Sequence, residues 1–291
     1  MANLDSLIPQ IWAARFLANL DKALVFGRAA NRVFQPDAEY GNQIKVDKMS
    51  NLTIGDYTKN TDFTGWPQAL TASQKSVVID QAKFFNFQID SIDEAQAFPD
   101  IMNKAMERSA YSMADVVDQY IASLHAGATT KVGTTAIPVA PIDTDVYGYL
   151  TDAAKALDKL NVPTYGRFMI MGPAGIKLLK DSGEMLSDTP AGDIVRLQGQ
   201  FGDPGTLPEG YKGRVAGFDL WMSNNTFAGG TGVTETWYFG NEMGISFVDS
   251  LNRIAAYEPE MRFAEAVKGL YVFGASVTEP DALGVVYTSL A

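Results

Sequence analysis

Cysteine is absent from the 291 residues and histidine occurs once, at His125. The first absence removes disulfides, thiolate metal sites and cysteine nucleophiles together, and it fits a chain folded in a reducing cytoplasm. The second leaves no pair of imidazoles to share a metal, and a lone histidine at the end of a helical stretch reads as a residue favoured by the helix macrodipole. Long apolar runs are also missing. Nothing approaches the ~18 consecutive apolar residues of a membrane span, and the opening MANLDSLIPQ lacks the basic-then-apolar pattern of a signal peptide. Positive charge is the scarcer sign, with 23 Lys+Arg against 34 Asp+Glu and a net charge of -11. That balance argues against a surface that grips nucleic-acid phosphates, although it leaves room for enclosing DNA without holding it.

The signatures of catalysis are equally scarce. There is no GxSxG, HExxH, P-loop or strand-following GxGxxG. Carboxylate pairs such as Asp115 and Asp118 fall within a helical stretch and read as a solvated face, not as a general acid and base. The glycines between Gly199 and Gly210 lack the strand-to-helix context of a phosphate cradle. No enzyme activity, metal or cofactor is therefore expected.

What is present is material for a core: 46% of the residues are hydrophobic and 11% aromatic, enough for one large or two ordinary domains. The strongest helical signal runs from about Phe98 to His125, with apolar residues at Met102, Met106, Ala110, Met113, Val117 and Ile121 in three-and-four spacing. Pro99 suits its first turn and Gly127 its end. A second amphipathic helix is read over Leu4–Arg28, where Ile8, Trp12, Phe16, Leu20 and Leu24 recur at near-fourfold spacing.

From Gln43 to Met49 the period is two, and a second β-like segment runs through Ser76–Asp80 and Phe84–Asp90. Between them lie the polar residues Ser50–Gln74. An isolated two-stranded hairpin is marginal in water and needs something to lie on. Ile54, Tyr57, Phe63, Trp66 and Leu70 are too apolar for a solvated linker, so this stretch is read as an arm resting on a neighbouring subunit.

Further along, Gly127–Pro141 reads as a linker or weak hairpin, followed by a helix from Tyr147 to Leu160, a buried strand at Arg167–Met171 and a short helix at Ala174–Asp181. A long loop, Glu184–Lys212, precedes single strands at Arg214–Ser223 and Glu235–Phe239, and a strand signal around Arg253–Tyr257. Arg262–Val267 reads as a short helix, and Leu270–Val277 and Leu283–Tyr287 as closing strands.

This order of parts resembles the major capsid (coat) protein of tailed bacteriophages with the Hong Kong 97 type fold. The resemblance is carried by Ile8–Arg15 (IPQIWAAR), Tyr57–Asp62 (YTKNTD), Ile79–Phe87 (IDQAKFFNF), Val162–Arg167 before the strand ending at Pro173, and Gly217–Asn224. It implies an α+β fold with an N-arm at residues 1–40, an extended E-loop hairpin at 41–80, a P-domain at 81–143 with its spine helix at about 98–125, and an A-domain at 144–250. Residues 251–280 would return to the P-domain as strands and a short helix, and 281–291 would add a final A-domain strand. It further implies a virion protein, assembled in the host cytoplasm, that self-associates into pentamers and hexamers around packaged double-stranded DNA without reading its sequence.

Trp12, Phe16, Ile54, Tyr57, Lys59, Asp62, Phe63 and Trp66 are the candidate inter-subunit contacts. Scaffolding, portal and decoration proteins are further partners that the resemblance allows; a membrane is not. Some members of the family join a Lys to an Asn of a neighbour, but no matching acidic catalyst stands near Lys45, Lys48 or Lys59, which read as solvated. An encapsulin-like shell holding enzyme cargo is the alternative function.

Overall fold

The alternating segments pair into three sheets in the computed structural model, which describes residues 24–34, 43–49, 52–60, 69–90, 101–135, 139–140, 146–181, 211–229 and 232–289. Strands β1 (Gln43–Met49) and β2 (Ala72–Val78) form an antiparallel pair in register from Gln43 opposite Val78 to Met49 opposite Ala72. β3 (Gln81–Asp90), β9 (Ile245–Tyr257) and β10 (Ala264–Val277) form a second antiparallel sheet with β10 in the middle. The third sheet has six strands in the order β4-β11-β8-β5-β7-β6. They are β4 (Thr130–Val132), β5 (Arg167–Met171), β6 (Tyr211–Val215), β7 (Phe218–Met222), β8 (Glu235–Asn241) and β11 (Leu283–Thr288).

β5 is buried throughout because this sheet is covered on both faces, the situation in which a strand reads as an unbroken apolar run. Its side chains alternate between two cores: Phe168 and Ile170 join one, Met169 and Met171 the other. Helix α1 (Phe26–Ala29) and helix α2 (Ile101–Ser123) belong to the first core. Helices α3 (Val146–Lys159) and α4 (Pro173–Asp181) cover the opposite face.

The apolar stripe of α2 is the one its spacing predicts, and Met106, Ala110, Met113, Val117 and Ile121 are all buried. They meet Val267, Tyr271 and Phe273 of β10 and Tyr238 of β8, so one core joins the three-stranded and six-stranded sheets. The α-helix ends at Ser123, where a tighter turn takes over from Leu124 to Gly127. That end is fastened to the six-stranded sheet. Tyr238 Oη donates to the Ala122 carbonyl at 2.8 Å, and His125 Nδ1 lies 2.8 Å from Tyr287 Oη with its ring against Phe227. The predicted first turn around Phe98 and Pro99 lies outside the described residues, as do most of the Leu4–Arg28 helix and the loop before Tyr211.

Several expectations are corrected. Arg262–Val267 is not a short helix: from Ala264 it is the start of β10, where pairing to both β3 and β9 overrides local helical preference. The β-like segment of residues 76–90 splits at Ile79–Asp80, its first part pairing with β1 and its second with β10. Residues 214–223 are not one strand but the hairpin of β6 and β7. Ala216 and Gly217 turn it with φ of 49° and 84°, as a two-residue turn matched to strand twist requires. Within Gly127–Pro141, Thr130–Val132 is neither linker nor hairpin but a strand lying parallel to β11.

Candidate assembly interface

The β1–β2 pair leaves the body as an arm. At its root, Ile44, Val77 and Ile79 pack on Val248 of β9, and Lys75 Nζ donates to the Thr278 carbonyl at 2.8 Å. The chain crosses β10 closely there. Only a glycine fits at 274, because a Cβ would collide with the Val78 carbonyl oxygen and the Ile79 backbone. Toward the tip, residues 52–58 have no regular structure, and Met49, Leu52, Ile54, Tyr57 and Leu70 are all exposed.

Of the sequence-derived contact candidates, Ile54 (94% exposed), Tyr57 and Lys59 stand together on this arm. Trp12, Phe16, Asp62, Phe63 and Trp66 lie outside the described residues.

Two apolar surfaces were not marked by the sequence reading. The first is a groove of about 560 Å³ between β3 and α2. Its floor is Phe85, Phe87 and Ile89 on one wall and Met113 and Val116 on the other, with Lys83 and Arg108 also lining it. Phe84 stands at its edge, 78% exposed. β3 is an outer strand of its sheet, so one side of the groove is a sheet edge. The second surface is the tip of the β9–β10 hairpin, where Met261 and Phe263 are 93% and 91% exposed. The signal for the groove was available in the Phe-Phe-Asn-Phe run of β3, which has more aromatic residues than one sheet face can bury.

Among the described residues two carboxylates are buried, and both hold backbone. Asp118, expected on a solvated face, is only 2% exposed. Its oxygens accept from the N–H groups of Val25, Phe26 and Gly27 at 2.9, 3.1 and 3.3 Å, which caps α1 and ties residues 25–27 to α2. Burial pushes its carboxyl up to about 7 against the pull of those donors, with Asp115 adding a smaller push.

Glu235 accepts from the N–H groups of Gly172 and Gly175 at the start of α4 and from Trp237 Nε1 at 2.9 Å; burial raises its pKa too. Each of these carboxylates is occupied by structural donors, and neither faces a partner for acid–base chemistry. Among the described residues no three His, Asp or Glu side chains cluster as a metal site, and no helix is long and apolar enough to cross a membrane.

The described buried carboxylates Asp118 and Glu235 thus hold the fold, and the exposed Ile54, Phe84, Met261 and Phe263 sit on the arm, the groove and the hairpin tip. Comparison with known proteins agrees with that division. The phage capsid protein family matches residues 72–288. A structure from Mycobacterium phage Che8 superposes with a TM-score of 0.72 at 23% identity, covering 92% of this chain and 92% of that one. The capsid structure of cyanophage P-SCSP1u gives 0.63 at 18% identity over 87% and 85% of the two chains. The capsid of Ralstonia phage GP4 gives 0.65 at 11% identity over 89% and 87%. No curated protein matches the chain. With the family matching most of its length, the chain belongs to the phage capsid protein family, as a major capsid protein with the fold of tailed-phage shells.

Proposed function

We propose that this chain builds the icosahedral head of a tailed phage by self-assembling into pentamers and hexamers that close around packaged double-stranded DNA. The observation that carries this reading is the β1–β2 arm. Its root is anchored to the body, while Leu52 and Ile54 at its far end are exposed. A two-stranded arm with exposed apolar residues is stable when another surface covers it, and in a shell that surface is a neighbouring subunit.

On this reading residues 1–40 are the N-arm, 41–80 the E-loop, 81–143 with 251–280 the P-domain, and 144–250 with 281–291 the A-domain. The return through 251–280 is then made by strands alone. Helix α2 is the spine that keeps the subunit rigid while the arms link. Trp12, Phe16, Ile54, Tyr57, Lys59, Asp62, Phe63 and Trp66 contact neighbours, and scaffolding, portal and decoration proteins are further partners. Assembly takes place in the host cytoplasm. Many modest interfaces, each weak enough to correct errors, sum to a stable shell. The net charge of -11 keeps the subunit from sticking to DNA that slides during packaging and ejection. Membership of the phage capsid family favours a virion over a shell holding enzyme cargo.

The test replaces residues 52–69 by an Asn-Gly turn that keeps β1 and β2 paired. The shortened chain is expected to melt cooperatively near the parent temperature but to give no closed particles by negative-stain electron microscopy. Normal particles would overturn the arm assignment.

A further inference from the structure

The groove between β3 and α2 combines an apolar floor with two cations, Lys83 and Arg108, and no carboxylate is among the described residues that line it. Its preferred occupant is therefore a short apolar segment carrying acidic groups. Among the described residues, Glu258-Pro259-Glu260-Met261-Arg262-Phe263 at the β9–β10 tip is such a segment. Its two carboxylates outnumber its one guanidinium, and Met261 and Phe263 are almost wholly exposed. The described end of the β1–β2 arm, by contrast, balances one carboxylate, Asp56, with one ammonium, Lys59.

The tip cannot turn back into its own groove. Ala264 pairs with Asp90 at the last residue of β3, so the tip projects beyond the strand's end, whereas the groove runs back along β3 from Ile89 to Lys83. The groove is large enough for two side chains of this size.

We propose that the groove is a socket for the β9–β10 tip of a second copy of this chain. Met261 and Phe263 enter between β3 and α2, and Glu258 and Glu260 face Lys83 and Arg108. Because each copy carries both a tip and a socket, copies related by a two-fold axis fill each other's sockets, and copies around a three-fold axis fill them in a ring. This contact lies between P-domains and rests on the shell reading above.

The absence of cysteine makes a direct test clean, since any disulfide must come from introduced residues. Ser112 is exposed beside the groove, so Ser112→Cys is combined with Met261→Cys, and separately with Ile54→Cys or Trp12→Cys. Each chain is expressed, assembled, oxidised and run without reductant. The expected result is linked dimers or trimers from the 112–261 pair and monomer from the other two. Intact particles in which 112–261 stays unlinked, or in which 112–54 or 112–12 links instead, overturn the socket contact while leaving the shell reading standing. A parent chain that forms no higher-order particle overturns both.

Should the double variant not fold, charge reversal decides. Arg108→Glu and Glu260→Lys are each expected to lower particle yield on their own and to restore it when combined. Additive losses without rescue overturn the pairing.

Discussion

At the scale of single residues, Asp118 ties distant backbone together, because its carboxylate serves three buried N–H donors from a segment more than ninety positions away. Asp118→Ala strands those donors, and leaving buried donors unpaired costs about 2–4 kcal/mol in total. The subunit should melt several degrees lower. Asp118→Asn keeps one acceptor oxygen and should cost less.

The pH dependence has a definite sign. The folded carboxyl titrates near 7, the unfolded one near 3.9, so the folded state binds the proton more tightly. The stability this group contributes is full below about pH 4 and is lost as pH rises through 7. Melting parent and Asp118→Asn at pH 6 and pH 8 isolates it. The parent should lose more stability than the variant at the higher pH, and equal losses would show that Asp118 does not titrate there. His125 works in the opposite sense and at lower pH. Burial, with Lys131 adding to it, depresses its pKa, so its contribution is lost as pH falls below its ordinary range.

At the scale of elements, close approach at the arm's root is the feature most open to test. At Gly274 any Cβ meets backbone of Val78 and Ile79, which cannot swing aside as a side chain can. Gly274→Ala should therefore push the arm off β10, at a cost of about 1–3 kcal/mol. Faster amide exchange at Val77 and Ile79 than at Tyr238 would locate the damage at the root, and uniform loosening would refute a local effect.

The same contrast explains what was legible in the sequence. α2, β5 and the arm could be read because each buries a regular pattern: a three-and-four stripe, a run between two covered faces, an alternation interrupted by polar residues. The β6–β7 turn was missed because Ala216 occupies a left-handed position usually marked by Asn or Asp. Residues 264–267 were missed because Ala264, Ala266 and Val267 suit a helix locally, and only partners on both sides make them a strand. Asp118 was misread for a related reason. Helical spacing shows which residues share a face, but not that another segment covers a polar position on it. That Ile54 and Tyr57 are exposed could be anticipated from the polar composition around them, whereas the groove exists only once β3 and α2 are brought together.

For the whole molecule, the competing forces in assembly are a global repulsion and local attractions. Subunits of net charge -11 repel one another as they converge. On the proposed reading the attractions are apolar contacts at the arm, tip and groove, which salt does not screen, and rim charge pairs, each contributing about 0–1 kcal/mol at an exposed site. Raising ionic strength from 0.1 M to 1 M shortens the screening length from about 10 Å to about 3 Å, which suppresses the long-range repulsion and the exposed pairs together. The repulsion acts between every pair of subunits, while the rim pairs are few, so its loss should dominate. Light scattering from purified subunits should rise faster and plateau higher as sodium chloride is added, with closed particles at the end point. Retention of double-stranded DNA by the same subunits should stay negligible even at low salt, since subunits of net charge -11 repel the phosphate backbone. Assembly that slows with salt would mean that charge pairs, not apolar burial, hold the interfaces, and would shift the weight of the tip-and-socket contact from Met261 and Phe263 to Glu258 and Glu260.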